Sequence, residues 1–310
     1  MAVKLDLKSY KSDVHNNWCP GCGDFGILSA IQMALLSLKI PPHRVALFSG
    51  IGCSGKTPHY VNVYGFHTLH GRVVPTATGA KIANQDLTVL AVGGDGDGYG
   101  IGSGYFVNAG RRNLDITYIV FNNNVYGLTK GQASPTMAKG LKTRHLPEAT
   151  ILEGLNPIAL AVGAGYTFIA RGYALDVRYL SNLLAQAISH KGSAFVDVLQ
   201  TCPTYNDLYT KEWFDHSSEG GSRIYRLDDT GYDGVVHDPN DPQEMIEKKV
   251  QAVTRSYEWG EQIPVGVYYK VERPTYEEEL GRRRPSLATK SLIDIDLNDR
   301  DVTPLCEALR

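Results

Sequence analysis

Four short apolar runs punctuate the chain without polar alternation: Val45–Phe48, Leu87–Val92, Ile116–Phe121 and Ala194–Leu199. A strand with one wet face alternates apolar and polar residues. A continuous run of this length instead predicts a strand buried on both faces, as in a parallel sheet. A weaker run lies at Tyr166–Ala170. Between the runs, apolar residues recur at helical spacing over Phe25–Leu38 (stopped by Pro41-Pro42), Ile101–Arg111, Pro157–Val162 and Asp176–His190. Strand and helix alternating in this way predict an α/β domain with a doubly wound, mostly parallel sheet.

After Cys202 the texture changes. Residues 203–240 are polar and rich in Gly, Asp and Tyr, and they read as a long ordered loop. Pro242–Trp259 reads as one helix, with Asp241 as N-cap and proline at the first helical position. Ile263–Val271 reads as a late strand, and the tail to Arg310 is charged. These shifts place a boundary near 203, between a site-bearing domain over 1–202 and a C-terminal extension over 203–310. The extension is expected to cover the site or dock a partner.

The 310 residues carry 31 Lys plus Arg against 33 Asp plus Glu, a net charge of −2, which argues against a nucleic-acid binder. The most apolar stretch, Pro157–Ala170, is too short to span a bilayer, and MAVKLDLKSYK has no apolar export segment. Five cysteines, an odd number, argue against a secreted disulfide framework. The expectation is a cytoplasmic chain whose cysteines are ligands, nucleophiles or filler.

The residues just past each strand carry the chemistry. Cys53 lies beyond the first run, Asp95 beyond the second, Asn122-Asn123-Asn124 beyond the third and Cys202 beyond the fourth. Ligands in open α/β sheets bind outside the carboxyl ends of the strands, so four strand ends deliver polar residues to one edge. Cys19-Pro20-Gly21-Cys22 is a tight C-x-x-C turn, by itself a redox dithiol or half of a zinc site. With Cys53 and Cys202 it makes four thiols, enough for a tetrahedral zinc or a [4Fe–4S] cluster. One pair with two distant singles leans towards a cluster, and Cys306 is a spare.

Gly50–Thr57 (GIGCSGKT) matches the phosphate-binding pattern G-x-x-x-x-G-K-[ST]. That loop needs a long helix directly after Lys-Thr, whereas Pro58 and an aromatic, glycine-broken stretch come next here. A P-loop ATPase carrying a metal cluster and a zinc-stapled binding module stay as alternative readings. Phe25–Gln85 holds no Asp or Glu, yet it carries Lys56, Arg72 and four histidines, a locally positive wall suited to an anionic ligand. Asp95 in its Gly-Asp-Gly turn, paired with the asparagines after the next strand, offers the oxygen ligands that Mg²⁺ prefers.

Gly94-Asp95-Gly96 with Asn122-Asn123 looks like the thiamine-diphosphate motif. Together with WCPGCG (18–23), GIGCSGKT (50–57), HTLHGR (67–72), GGDGDGYGIG (93–102), NNNVYGLTKGQASPT (122–136) and IPVGVYYKVERPTYEEEL (263–280), the chain resembles the β subunit of archaeal 2-oxoacid:ferredoxin oxidoreductases. The resemblance implies coenzyme A-dependent oxidative decarboxylation of 2-oxoacids (the pyruvate, 2-oxobutyrate, 2-oxoglutarate class) to acyl-CoA and CO₂, with electrons passing through a [4Fe–4S] cluster to ferredoxin. It implies Cys19, Cys22, Cys53 and Cys202 as cluster ligands. Asp95, Asn123 and the Val125 carbonyl become Mg²⁺ ligands, and Ile51, Gly52, Cys53, Ser54, His70, Gly96, Asp97, Gly127 and Leu128 surround thiamine diphosphate. Asn122 stands where relatives often carry Asp. Lys56 and Lys130 are candidates for the substrate carboxylate or coenzyme A phosphate. One thiamine domain is present, so the resemblance implies a larger, fused γα-type partner subunit that supplies the other and without which the chain is inactive.

Overall fold

The computed structural model describes residues 5–286, 292–294 and 301–309, so part of the charged tail lies outside the described residues. Its strands are β1 (Val45–Ser49), β2 (Tyr64–His67), β3 (Thr88–Gly94), β4 (Ile116–Asn122), β5 (Val125–Tyr126), β6 (Gln132–Ala133), β7 (Phe168–Tyr173), β8 (Ser193–Leu199), β9 (Ile224–Arg226) and β10 (Ile263–Lys270). Its main helices are α1 (Asp24–Ser37), α2 (Thr57–Tyr60), α3 (Val73–Ala83), α4 (Ser103–Arg112), α5 (Pro157–Ala164), α6 (Val177–Ser189), α7 (Lys211–Asp215), α8 (Pro242–Ser256) and α9 (Tyr276–Arg283). Eight strands form one sheet in the order β2-β1-β3-β4-β8-β7-β10-β9, and β5 and β6 make a small separate hairpin. Neighbours from β2 through β7 are parallel, while β10 runs antiparallel to β7.

The unbroken apolar runs are two interleaved sets. In β1, Val45 and Leu47 face α1 and α6, where Ile27, Ile31, Leu180 and Leu184 pack. Ala46 and Phe48 face the other layer, where Val73, Phe106, Ile158 and Ala252 pack. With a period of two and both faces covered, apolar residues occupy successive positions instead of alternate ones. All residues of β1, β4 and β8 are buried.

The structure moves several expected boundaries. The second run yields Thr88–Gly94, which brings the glycine pair into the strand. The weak run Tyr166–Ala170 becomes Phe168–Tyr173, and Tyr166 instead stays buried ahead of it, its hydroxyl donating to Phe106 O at 3.0 Å. Helix α4 begins at Ser103 rather than Ile101, because Gly96–Ile101 form a wide π-type turn. Several elements carry no sequence signal: α2, β2, α3, the β5–β6 hairpin and α9. The short β2 is exposed along its length. In α3, Pro75 and the β-branched residues argue against a helix, yet the proline sits in the first turn, where its missing N–H is no loss. Residues 203–240, expected as loop, contain α7 and β9, and β9 and β10 extend the same sheet.

Candidate functional site

The chain leaves β1 outward to β2 and returns to β3 on the opposite side, so the strand order reverses between β1 and β3. Open α/β sheets place their ligands at such a reversal. Here the loops Gly50–Lys56 and Gly94–Ile101 face each other across a cavity of ≈ 150 Å³. Ile51, Gly52, Cys53, Ser54, His70, Gly96, Asp97, Gly127 and Leu128 all line it, together with Asp95, Asn123 and Val125. Every residue expected around the cofactor and the cation therefore meets at one place.

Asp97 ties the two loops together. Its Oδ1 accepts from Ile51 N at 3.0 Å and Gly71 N at 2.7 Å. His70 Nδ1 lies 3.0 Å from the same oxygen, at ion-pair distance but off the angle of a hydrogen bond. Burial outweighs these partners and raises the Asp97 carboxyl above the usual range. Only glycine fits at position 50, since a Cβ there would sit 1.9 Å from the Asp97 carboxylate. Gly52 has a left-handed φ of 133°, and a Cβ on it would meet nothing within 4 Å. Its backbone is thus open to an incoming group.

Asp95 is fully buried, and burial pushes its carboxyl up to about 6 despite four donors. Gly96 N (3.0 Å) donates to Oδ1, while Asn124 N (2.8 Å), Ser134 Oγ (2.6 Å) and Thr136 Oγ1 (2.9 Å) donate to Oδ2. No cationic side chain among the described residues faces it. The buried Ser54 hydroxyl also has no hydrogen-bond partner. A cation at Asp95 and an oxyanion at Ser54 and Gly52 would complete both. Asn123 turns its Oδ1 onto Val125 N at 3.1 Å, which fixes the backbone beside the carboxylate.

The C-x-x-C turn packs on the strand end carrying Cys202: Gly23 N donates to Thr201 O at 3.1 Å, and Thr201 Oγ1 to Gly21 O at 3.3 Å. The Sγ atoms of Cys53 and Cys202 would lie 3.5 and 3.6 Å from a Cβ on Gly127, so both thiols pack beside that glycine, and Cys53 lines the cavity itself. Burial raises the thiols of Cys22, Cys53 (to about 12) and Cys202, and the charge of Asp24 adds to each rise. The four thiols lie within electrostatic reach of one another. Among the described residues, no three His, Cys, Asp or Glu converge on a single ion position. Cys306, on the terminal helix Thr303–Ala308, is exposed.

Neither lysine lines the cavity. Lys56 faces the carboxylate of Asp24 and Cys53. Lys130 is exposed in the turn of the β5–β6 hairpin, with a left-handed φ of 82°. The P-loop resemblance ends in geometry: α2 is a single turn, and β2 comes soon after it. Sequence reasoning missed Asp24, whose buried oxygens lack hydrogen-bond partners and whose carboxyl is pushed up to about 7 by burial. An acid opening a helix reads as an ordinary N-terminal charge. Ser134, Thr136 and Tyr126 were missed as well, because their contacts depend on the path of the hairpin.

Among the described residues no helix is long and apolar enough to cross a membrane. Residues 50–198 match the family described as thiamine pyrophosphate enzyme, C-terminal TPP binding domain. Residues 202–284 match the family of C-terminal regions of the pyruvate ferredoxin oxidoreductase beta subunit. The 2-oxoacid:ferredoxin oxidoreductase subunit beta of Saccharolobus solfataricus is 54% identical over 275 residues, 87% of each chain. Subunit beta of 2-oxoacid:ferredoxin oxidoreductase 1 from Aeropyrum pernix is 52% identical over 282 residues, 90% of this chain and 86% of that one. A solved 2-oxoglutarate:ferredoxin oxidoreductase from Magnetococcus marinus, with 2-oxoglutarate, coenzyme A and succinyl-CoA bound, superposes with a TM-score of 0.83 at 32% identity, covering 99% of this chain and 97% of that one. With the thiamine fold, the cavity at its strand reversal and relatives alike along most of their length, the chain belongs to the β subunits of the 2-oxoacid:ferredoxin oxidoreductases.

Proposed function

We propose that this chain holds thiamine diphosphate through Mg²⁺ at Asp95, Asn123 and the Val125 carbonyl, and a [4Fe–4S] cluster at Cys19, Cys22, Cys53 and Cys202. With a larger γα-type partner it would carry out coenzyme A-dependent oxidative decarboxylation of pyruvate, 2-oxobutyrate or 2-oxoglutarate in the cytoplasm and deliver the electrons to ferredoxin. One observation carries the reading. A buried carboxylate without a counter-charge faces a glycine cradle, and Cys53 and Gly127 line the same cavity with the Cys202 thiol packed beside Gly127. When bound, thiamine diphosphate supplies the electron sink that lets a 2-oxoacid lose CO₂.

The chain's own residues prepare that site. The open backbone at Gly52 and the free hydroxyl of Ser54 suit the diphosphate. Asp97 holds Ile51, Gly71 and His70 in place, so the wall of the cavity is preorganised. Phe121 and Leu128 line it with apolar surface. The raised thiol pKa values mean that metal loading releases protons, because thiolates are the ligands. Lys56, in the cavity loop three residues after Cys53, and the exposed Lys130 of the β5–β6 turn are assigned to the substrate carboxylate and the coenzyme A phosphate. Residues 203–310 add two strands to the sheet and are assigned to covering the site or docking the partner.

Iron and acid-labile sulfide on the anaerobically purified complex test the cluster. About four of each per β chain, with bleaching by dithionite, is the expected result. Zinc alone would overturn the electron-transfer reading. Lys130→Ala should raise the coenzyme A concentration required while leaving the visible spectrum intact, and an unchanged requirement removes Lys130 from the site.

A further inference from the structure

Asp197 is an acid in the middle of the apolar strand β8, with no exposed surface. Its Oδ1 accepts from Tyr99 OH and Asn122 Nδ2, both at 3.0 Å, and its Oδ2 accepts from Arg171 Nε at 3.2 Å. Paired with the Arg171 guanidinium, which can only donate, the Asp197 carboxylate serves as the acceptor. It therefore fixes the Asn122 amide with its NH₂ towards Asp197 and its Oδ1 towards Thr136, 2.9 Å away. Thr136 Oγ1 in turn lies 2.9 Å from Asp95 Oδ2 and receives Asn124 Nδ2 at 3.0 Å.

We propose that Asp197, Asn122 and Thr136 form a positioning chain that sets the rotation of the Asp95 carboxylate, leaving Oδ1 for the divalent cation. The inference rests on the reading of the cavity as a Mg²⁺–thiamine diphosphate site. A carboxylate offers about four lone-pair sites over its two oxygens. Oδ2 faces three donors and is saturated, whereas Oδ1 faces only Gly96 N. The free acceptor of the pair is thus the one beside the glycine turn. Thr136 is the junction: its single proton is shared as a bifurcated hydrogen bond between Asp95 Oδ2 and the Asn122 Oδ1 that Asp197 turns towards it, both 2.9 Å away. Hydrogen-bond partners behind a metal ligand orient it, and losing one typically costs 10–100-fold in metal affinity.

Thr136→Val removes the hydroxyl at nearly constant volume. In the assembled complex, the Mg²⁺ concentration that half-saturates retention of thiamine diphosphate, read by chromatography of released cofactor, should rise about 10–100-fold. The visible iron–sulfur spectrum should be unchanged, and Thr136→Ser should restore the Mg²⁺ dependence. Should Thr136→Val fail to assemble, Asn122→Ala removes the amide that links Asp197 to Thr136 and carries the same expectation. Wild-type Mg²⁺ dependence in an assembled Thr136→Val or Asn122→Ala variant overturns the chain, and so does a loss that Thr136→Ser fails to rescue. Asp95→Ala separates the two levels. If it retains cofactor, the reading of the cavity itself falls; if it loses cofactor while Thr136→Val keeps it, only the positioning chain falls.

Discussion

The two ends of the parallel strands bury similar polar groups and treat them in opposite ways. At the amino ends, Lys81 is 4% exposed, and its ammonium donates to Gln85 O, Leu87 O and Asp115 Oδ2 at 2.9, 3.0 and 3.0 Å. Asn113, in the left-handed region at φ 52°, accepts from Thr167 Oγ1 and Ser193 N and donates to Pro274 O. These groups staple α3, β4, β8 and the segment before α9. At the carboxyl ends, Asp24 and the Ser54 hydroxyl are buried without hydrogen-bond partners, and Asp95 has no cation. An unmet buried polar group costs about 1–3 kcal/mol, more when charged. Such a cost gathered on one edge marks where a ligand supplies the missing partners.

The largest effect expected from breaking this contrast is on function at the carboxyl edge. Asp95→Asn should weaken Mg²⁺-dependent cofactor retention by at least about 100-fold, more than a residue behind a ligand typically costs. The melting temperature of the metal-free chain should stay close to wild type, since the substitution also removes a charge that burial disfavours. A large drop in melting temperature would place Asp95 among the staples instead. Lys81→Met at the amino edge should do the reverse. Breaking a buried, fully hydrogen-bonded pair costs about 3 kcal/mol, read by denaturant unfolding, while the folded fraction keeps its cofactor affinity.

Both ends were legible to different degrees. The four central strands could be read because burial on both faces leaves runs that are mostly apolar and do not alternate. The cavity could be read because its parts sit at strand ends, where position in the chain fixes position in space. β2 and α3 could not, since the first is an exposed edge strand stabilised by Phe66 stacking on Phe48, and the second carries a proline in its opening turn. The partners of Asp95 were out of reach for another reason. Ser134 and Thr136 arrive by way of the β5–β6 hairpin, whose return path depends on the left-handed Asn124 and Lys130. The role of Asp197 was hidden in the same way, because its partners come from three separate elements.

A smaller effect sharpens the contrast within the cavity wall. A Cβ on Gly96 would lie 2.1 Å from the Tyr126 ring, whose hydroxyl donates to Gly96 O at 3.3 Å. Gly96→Ala must push that ring into the cavity. Cofactor affinity should fall about tenfold, or ~1.4 kcal/mol, with little change in the iron content. Unchanged affinity would show that the hairpin carrying Tyr126 is free to yield.

The smallest effect tests one of the exceptions at the amino ends, where His190 Nδ1 is also buried without a hydrogen-bond partner. Glu277, in α9, accepts from Asp115 N at 3.1 Å through Oε1, but its buried Oε2 has no partner. Burial raises its carboxyl above the usual range, in spite of that bond and the pull of Lys81. The folded state therefore holds this proton more tightly than the unfolded chain does. Its contribution to stability is fully present below the ordinary glutamate range, and it is lost as pH rises through the raised value. Glu277→Gln keeps the acceptor for Asp115 N and removes the charge. It should raise the melting temperature slightly at pH 8, by less than about 1 kcal/mol in stability, and the gain should vanish near pH 4. A loss at pH 8 would mean that the attraction of Lys81 exceeds the cost of burial. Glu277 would then be a full member of the satisfied staple, and the contrast between the two ends would lose one of its exceptions.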